Sequence, residues 1–154
     1  MEIHILYISI TGNTRAFVQQ LQAYAAKQSL AETPQIILKE IDDNTLPASE
    51  EQPYFAFVPT YLEGGNGIDN GDQEILTESL GEYLAFADNA QLCLGIVGSG
   101  NKNFNNQYCL TAKQYAEKFN CPLLADYELR GTAADVKRIY EELVSVSPKN
   151  ELPS

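Results

Sequence analysis

The chain has 154 residues, 44% of them hydrophobic, with 21 Asp and Glu against 10 Lys and Arg for a formal net charge of -11. That length suits one domain with a sizeable core, and the acidity excludes nucleic acid and anionic membrane surfaces, which need basic complements. Glu2 and Ser9 interrupt the first apolar stretch, so no signal peptide or membrane span is expected.

In chain order, Ile3, Ile5, Leu6 and Ile8 read as a buried parallel strand, and Phe17, Val18, Leu21 and Ala25 then recur at helical spacing. Ile36 to Leu38 is a second strand, followed by a polar stretch from Asp42 to Pro53. Tyr54 to Val58 is a third, stopped by Pro59, and a glycine-rich loop runs from Thr60 to Gly71. Ile75, Leu76, Leu80, Tyr83 and Leu84 predict an amphipathic helix. Leu92, Leu94, Ile96 and Val97 predict a fourth strand, ended by Gly98-Ser99-Gly100. Tyr108, Ala112, Tyr115, Ala116 and Phe119 share one face of a third helix, and Pro122 to Leu129 is a fifth strand. Thr132 and Asp135 predict a capping box that opens a last helix carrying Val136, Ile139, Tyr140 and Leu143. The expected domain is 1–146, with 147–154 a frayed tail containing two prolines.

Strands alternating with helices indicate an α/β fold, a five-stranded parallel sheet covered on both faces. In the order 2-1-3-4-5, the loops after strands one, three and four meet at one edge, where such sheets bind ligands. Cys93, Cys109 and Cys121 are odd in number and lack CxxC spacing, so reduced thiols in a cytoplasmic protein are expected. His4 is the single histidine. No acid–base pair, nucleophile–base set or metal cluster stands out, so neither catalytic residues nor metal ligands are assigned.

The first loop is Ser9, Ile10, Thr11, Gly12, Asn13 and Thr14. It opens a helix, whose unpaired amides and positive dipole end suit an anion. It has no P-loop lysine and no triple-glycine fingerprint, so its neutral hydroxyls and amides fit one phosphate monoester. The competing reading is a Ser/Thr-capped helix. The second loop, Pro59, Thr60, Tyr61, Leu62, Glu63, Gly64 and Gly65, sets an aromatic ring beside backbone free to flip. The third supplies Ser99, Gly100, Asn101 and Asn103 for hydrogen bonds to a ring edge, with Phe104 or Tyr108 as an apolar wall.

The Ser-x-Thr-Gly-Asn-Thr loop at 9–14 resembles the phosphate loop of FMN-binding flavodoxins. Gly-Ser-Gly-Asn-Lys-Asn-Phe at 98–104, with Tyr-Glu-Leu-x-Gly-Thr at 127–132, resembles the NrdI family, the flavodoxin-like activators of class Ib ribonucleotide reductase. The resemblance runs from Ile3 to about Val144. It implies a flavodoxin-like three-layer sandwich with FMN at the switch point. It further implies a flavoprotein that, once reduced, reacts with molecular oxygen and supplies superoxide or a related oxidant. The recipient is the dimanganese-tyrosyl radical site of the reductase's small, radical-bearing subunit, and an unidentified donor reduces the flavin. By the same resemblance, Ser9, Thr11, Gly12, Asn13 and Thr14 hold the phosphate. Thr60, Tyr61 and the Gly64-Gly65 backbone line one side of the isoalloxazine, and Ser99, Gly100, Asn101, Asn103 and Phe104 line the other. Glu128 to Thr132 reads equally as a strand end and helix cap. The stretch 62–71 is longer and more acidic than the family's shortest loops, as in the NrdI-like variant.

The alternative is a general one-electron-transfer flavodoxin, whose carboxylates repel the reduced flavin and make it a strong reductant. The third loop has no Asp or Glu and carries Lys102. A unit charge about 6 Å away at an effective dielectric of 20 contributes roughly 3 kcal/mol before screening. The loop's charge therefore favours the oxidant-supplying reading, with Glu63 opposing it.

Overall fold

A computed structural model describes residues 2–28, 34–63, 73–74, 77–102 and 108–148. Strand β1 (Glu2–Tyr7) leads to α1 (Asn13–Lys27), β2 (Gln35–Glu40) and β3 (Tyr54–Pro59). Two short strands, β4 (Leu62–Glu63) and β5 (Gln73–Glu74), pair antiparallel as a separate small ladder. Helix α2 (Glu78–Ala85) and a 3-10 turn (Asn89–Leu92) precede β6 (Cys93–Gly100), followed by α3 (Leu110–Lys118), β7 (Leu123–Glu128) and α4 (Ala133–Val146). The main sheet is parallel in the order β2-β1-β3-β6-β7. Counting its five strands along the chain, this is the expected 2-1-3-4-5.

Successive side chains of a strand point to opposite faces, and both faces here are covered. Ile3, Ile5 and Tyr7 of β1 and Phe55 and Phe57 of β3 pack with Phe17, Val18 and Leu21 of α1 and Val136, Ile139 and Leu143 of α4. Leu6, Tyr54, Ala56 and Val58 face the other way, onto Leu80, Tyr83 and Leu84 of α2 and Ala112 and Tyr115 of α3. Every residue of β3 is buried, which is why its sequence is unbroken apolar rather than alternating. Each large side chain so buried contributes roughly 1.5–3 kcal/mol. No helix among the described residues is long and apolar enough to cross a membrane.

Two local expectations change, and a third falls partly outside the described residues. Gly98, Ser99 and Gly100 do not end the fourth strand but form its last three residues. Their small size serves packing: a Cβ on Gly98 would lie 2.7 Å from the Ala112 Cβ, and one on Gly100 2.9 Å from the Cys109 amide nitrogen. Helix α2 spans Glu78–Ala85, and Ile75 and Leu76 of the expected helix lie outside the described residues. Tyr108 and Phe119 flank α3 rather than belong to it. The capping box of α4 forms as expected: Thr132 accepts the Asp135 amide at 3.2 Å, and Asp135 accepts the Thr132 amide at 2.9 Å. Beyond α4, the Ser147 hydroxyl donates to the Leu143 carbonyl at 2.6 Å, and 149–154 fall outside the described residues.

Candidate cofactor site

The register pairs Tyr7 with Phe57, Phe57 with Val97 and Pro59 with Ser99. The three loops therefore leave the sheet side by side, at the point where the chain turns from β1 outward to β2 and then back to β3.

In the first loop Gly12 has φ +91°, a left-handed conformation that L side chains adopt at a cost. Its carbonyl takes the first helical bond, from the Ala16 amide at 3.0 Å. The Ser9 hydroxyl reaches across the loop and accepts the Arg15 amide at 3.1 Å. The capped-helix reading thus holds for Ser9, although the residue at the cap position is Gly12. The amides of Asn13 and Thr14 belong to the first turn and have no intrahelical acceptor. Thr14 is buried, and Ile10 is exposed.

Arg15 brings a cation near this loop, but its guanidinium is engaged by Glu40 of β2 through bonds of 2.8 and 2.6 Å. The Tyr7 hydroxyl donates to the same carboxylate at 2.9 Å. The Arg15 bonds hold the Glu40 carboxyl below its usual range. Burial, then the neighbouring carboxylate, pushes the Tyr7 phenol up to about 12. With its cation engaged this way, the loop itself presents neutral donors.

The Thr11 and Tyr61 hydroxyls are 2.9 Å apart, joining the first loop to the second. Pro59 ends β3, and the Thr60 hydroxyl accepts the Thr111 amide of α3 at 3.3 Å. Thr60 is thereby tied to α3. Leu62 and Glu63 form β4, paired with β5. Gly64 and Gly65 lie outside the described residues, as do Asn103 and Phe104 of the third loop.

Ser99 is buried near the end of β6, and the Gly100 carbonyl accepts the Leu129 amide at 2.9 Å. Asn101 and Lys102 follow directly. The Lys102 amide donates to Glu128 at 2.9 Å, the Tyr108 hydroxyl donates to Asp126 at 3.0 Å, and the Lys102 ammonium sits 5.6 Å from the centre of the Tyr108 ring. Two carboxylates from β7 therefore stand against a loop that has none of its own. Loop charge alone misses them. The neighbouring strand supplies them, because β7 pairs Asp126 with Gly98 and Glu128 with Gly100.

Tyr127 is the other residue that sequence reasoning did not place in the site. Its ring stacks on Phe17 at 3.8 Å and 13°. Its buried hydroxyl makes no hydrogen bond of good geometry, although the Ser99 and Thr14 hydroxyls are close enough to oppose the upward push that burial exerts on its pKa. A buried hydroxyl without a partner is costly, and this one lies beside two residues assigned to the site. The donor set fits a phosphate monoester: neutral hydroxyls, first-turn amides and a buried phenol. Tyr61 and Tyr108 offer aromatic surfaces on the adjoining loops. Among the described residues no group of His, Cys, Asp or Glu could hold a metal ion.

These features define a flavodoxin-like α/β protein. A Streptococcus pneumoniae TIGR4 flavodoxin shares the fold at TM-score 0.61 and 20% identity, over 95% of this chain and 97% of that one. Two-electron reduced Megasphaera elsdenii flavodoxin does so at TM-score 0.54 and 15% identity, over 94% and 99%. The NrdI flavodoxin-like family model matches residues 5–141, and the chain belongs to that family. It is 52% identical over 149 residues to an NrdI-like protein of Streptococcus pyogenes serotype M1, covering 97% of this chain and 92% of that protein. To Protein NrdI of Bartonella tribocorum it is 36% identical over 137 residues, covering 88% and 89%. Fold and family together imply a flavin cofactor.

Proposed function

We propose that this protein binds FMN at the three-loop edge and supplies superoxide or a related oxidant to the small subunit of a class Ib ribonucleotide reductase, for assembly of its dimanganese-tyrosyl radical cofactor. The observation that carries this reading is the family match over residues 5–141. The neutral loop at the start of α1 supports the cofactor assignment. When bound, FMN supplies one- and two-electron redox chemistry and reactivity toward oxygen. The Thr11 and Thr14 hydroxyls, with the Asn13 and Thr14 amides, hold the phosphate by hydrogen bonds. Ser9 and Gly12 shape the turn that aims them. Tyr61 and Tyr108 flank the ring, and Ser99, Gly100, Asn101 and Asn103 bond its edge. The rim of these loops is the docking face, since an oxidant made there leaves beside it. An unidentified reductant and molecular oxygen complete the cycle, in the cytoplasm.

A second reading, general one-electron transfer, draws support from Asp126 and Glu128. Their negative charge against the third loop offsets Lys102 and disfavours a reduced, anionic flavin. One experiment separates the two. The reduced protein, oxygen and a manganese-loaded small subunit are mixed, and tyrosyl radical is followed by electron paramagnetic resonance. Radical formation that requires this protein supports oxidant supply. Its absence with every candidate subunit, with no superoxide released on reoxidation, supports the carrier.

A further inference from the structure

The Sγ atoms of Cys93 and Cys121 lie 2.7 Å apart, closer than two sulfurs in ordinary nonbonded contact. Cys93 is the first residue of β6, and Cys121 precedes β7 by two. Their backbones are held on each side. The Ile96 amide donates to the Pro122 carbonyl at 2.8 Å, and the Cys121 amide to the Ala116 carbonyl at 2.9 Å. The Cys121 thiol also lies 3.3 Å from the Cys93 carbonyl. A disulfide needs about 2.05 Å between sulfurs, so roughly 0.7 Å of approach closes the bond. Cys109 is at the other end of β6, beside Gly98 and Gly100. Seven residue steps from Cys93 to Gly100 span about 23 Å, so Cys109 does not compete.

We propose that Cys93 and Cys121 are an oxidation site at which hydrogen peroxide forms an intramolecular disulfide. The Cys121 sulfur attacks one peroxide oxygen. The O–O bond breaks, giving a sulfenic acid and a hydroxide that takes the Cys121 thiol proton to become water. The Cys93 sulfur then attacks Cys121, and the S–O bond breaks. The hydroxide released takes the Cys93 proton as the second water. Two thiols lose two electrons in all, and one peroxide becomes two waters. The reacting form is a thiolate, and the adjacent Cys93 thiol brings Cys121 below its ordinary pKa, whereas that same contact and burial push Cys93 up. Cys93 is half-buried and Cys121 is 6% exposed, so a small oxidant enters past Cys93. The disulfide closes a loop over 93–121, which contains β6, the third loop and α3. The site stands whether or not the flavin reading does.

Trypsin places the three cysteines in separate peptides, 40–102, 103–113 and 119–130. The whole protein is treated with stoichiometric peroxide, denatured, alkylated, digested and analysed by mass spectrometry. The expected result is a 2 Da loss, a linked 40–102/119–130 pair reversed by dithiothreitol, alkylation on Cys109 and a melting temperature higher by about 5 °C or more. In Cys93→Ser, dimedone should label Cys121. Full alkylation of all three cysteines, a link through Cys109, or separate overoxidation of Cys93 and Cys121 would overturn the proposal.

Discussion

The hydroxyls of Thr11 and Tyr61 meet at 2.9 Å and join two loops that 50 residues separate. A hydroxyl has one proton and two acceptor lone pairs, so Thr11 can accept from Tyr61 and still donate to a phosphate. Tyr61→Phe keeps the ring but frees the loops from one another. FMN affinity should fall about 2- to 10-fold, the worth of one ordinary hydrogen bond. Flavin fluorescence titration measures this. Tighter binding would mean that Tyr61 competes with the phosphate for Thr11.

Thr11→Ala with Thr14→Ala removes two hydroxyls assigned to the phosphate. Hydrogen bonds to charged groups are worth roughly 1.5–3 kcal/mol each, so FMN affinity should drop at least 10-fold. Riboflavin, which has no phosphate, should bind the double mutant and the parent alike. Parallel titrations with both flavins make the test, and equal losses would move the phosphate elsewhere.

Tyr127→Phe deletes a buried hydroxyl that makes no hydrogen bond of good geometry while preserving the stack on Phe17. Without flavin, the variant should be as stable as the parent or about 1 kcal/mol more stable, near 3 °C in melting temperature. With FMN, affinity should fall if the phenol bonds the phosphate. Calorimetry and titration read the two effects separately.

The Arg15–Glu40 pair makes a pH prediction. Because Glu40 titrates below its usual value in the fold, its contribution is fully present above the unfolded carboxylate pKa, about 4.3. It is lost as pH falls through the lowered folded value. Arg15 is well exposed, with side-chain accessibility of 46%, so solvent screening keeps the contribution small. Melting curves of Glu40→Gln should lie below the parent at pH 7 and converge with it in acid. A constant offset at every pH would assign the loss to packing.

Glu128 accepts the Lys102 amide and places negative charge beside the third loop. Glu128→Gln keeps an acceptor and removes that charge, so reduction of bound flavin should become easier by about 1–2 kcal/mol at an effective dielectric near 20. Lys102→Glu should shift it the opposite way. Potentiometry in low and high salt checks both, and the shifts should shrink with ionic strength.

The buried strands were legible because local composition records burial: β3 lies between two helical layers and its sequence is a continuous apolar run, and β1 carries Ile3, Ile5 and Leu6 into the same two layers. The first loop was legible for a similar reason, since a turn rich in glycine and hydroxyls before a helix records its own backbone need. Gly98 and Gly100 show where such reading stops. Locally they look like strand breakers, yet they extend β6, because α3 crosses too closely for a side chain. Lys102 and Glu128 are 26 positions apart, and Cys93 and Cys121 are 28. Neither spacing carries a local signal. Both pairs meet because β6 and β7 lie parallel and adjacent, with a register shift between Ile96 and Val97, so the charge around the third loop and the thiol contact at the far end of the strand were decided only when the sheet closed around them.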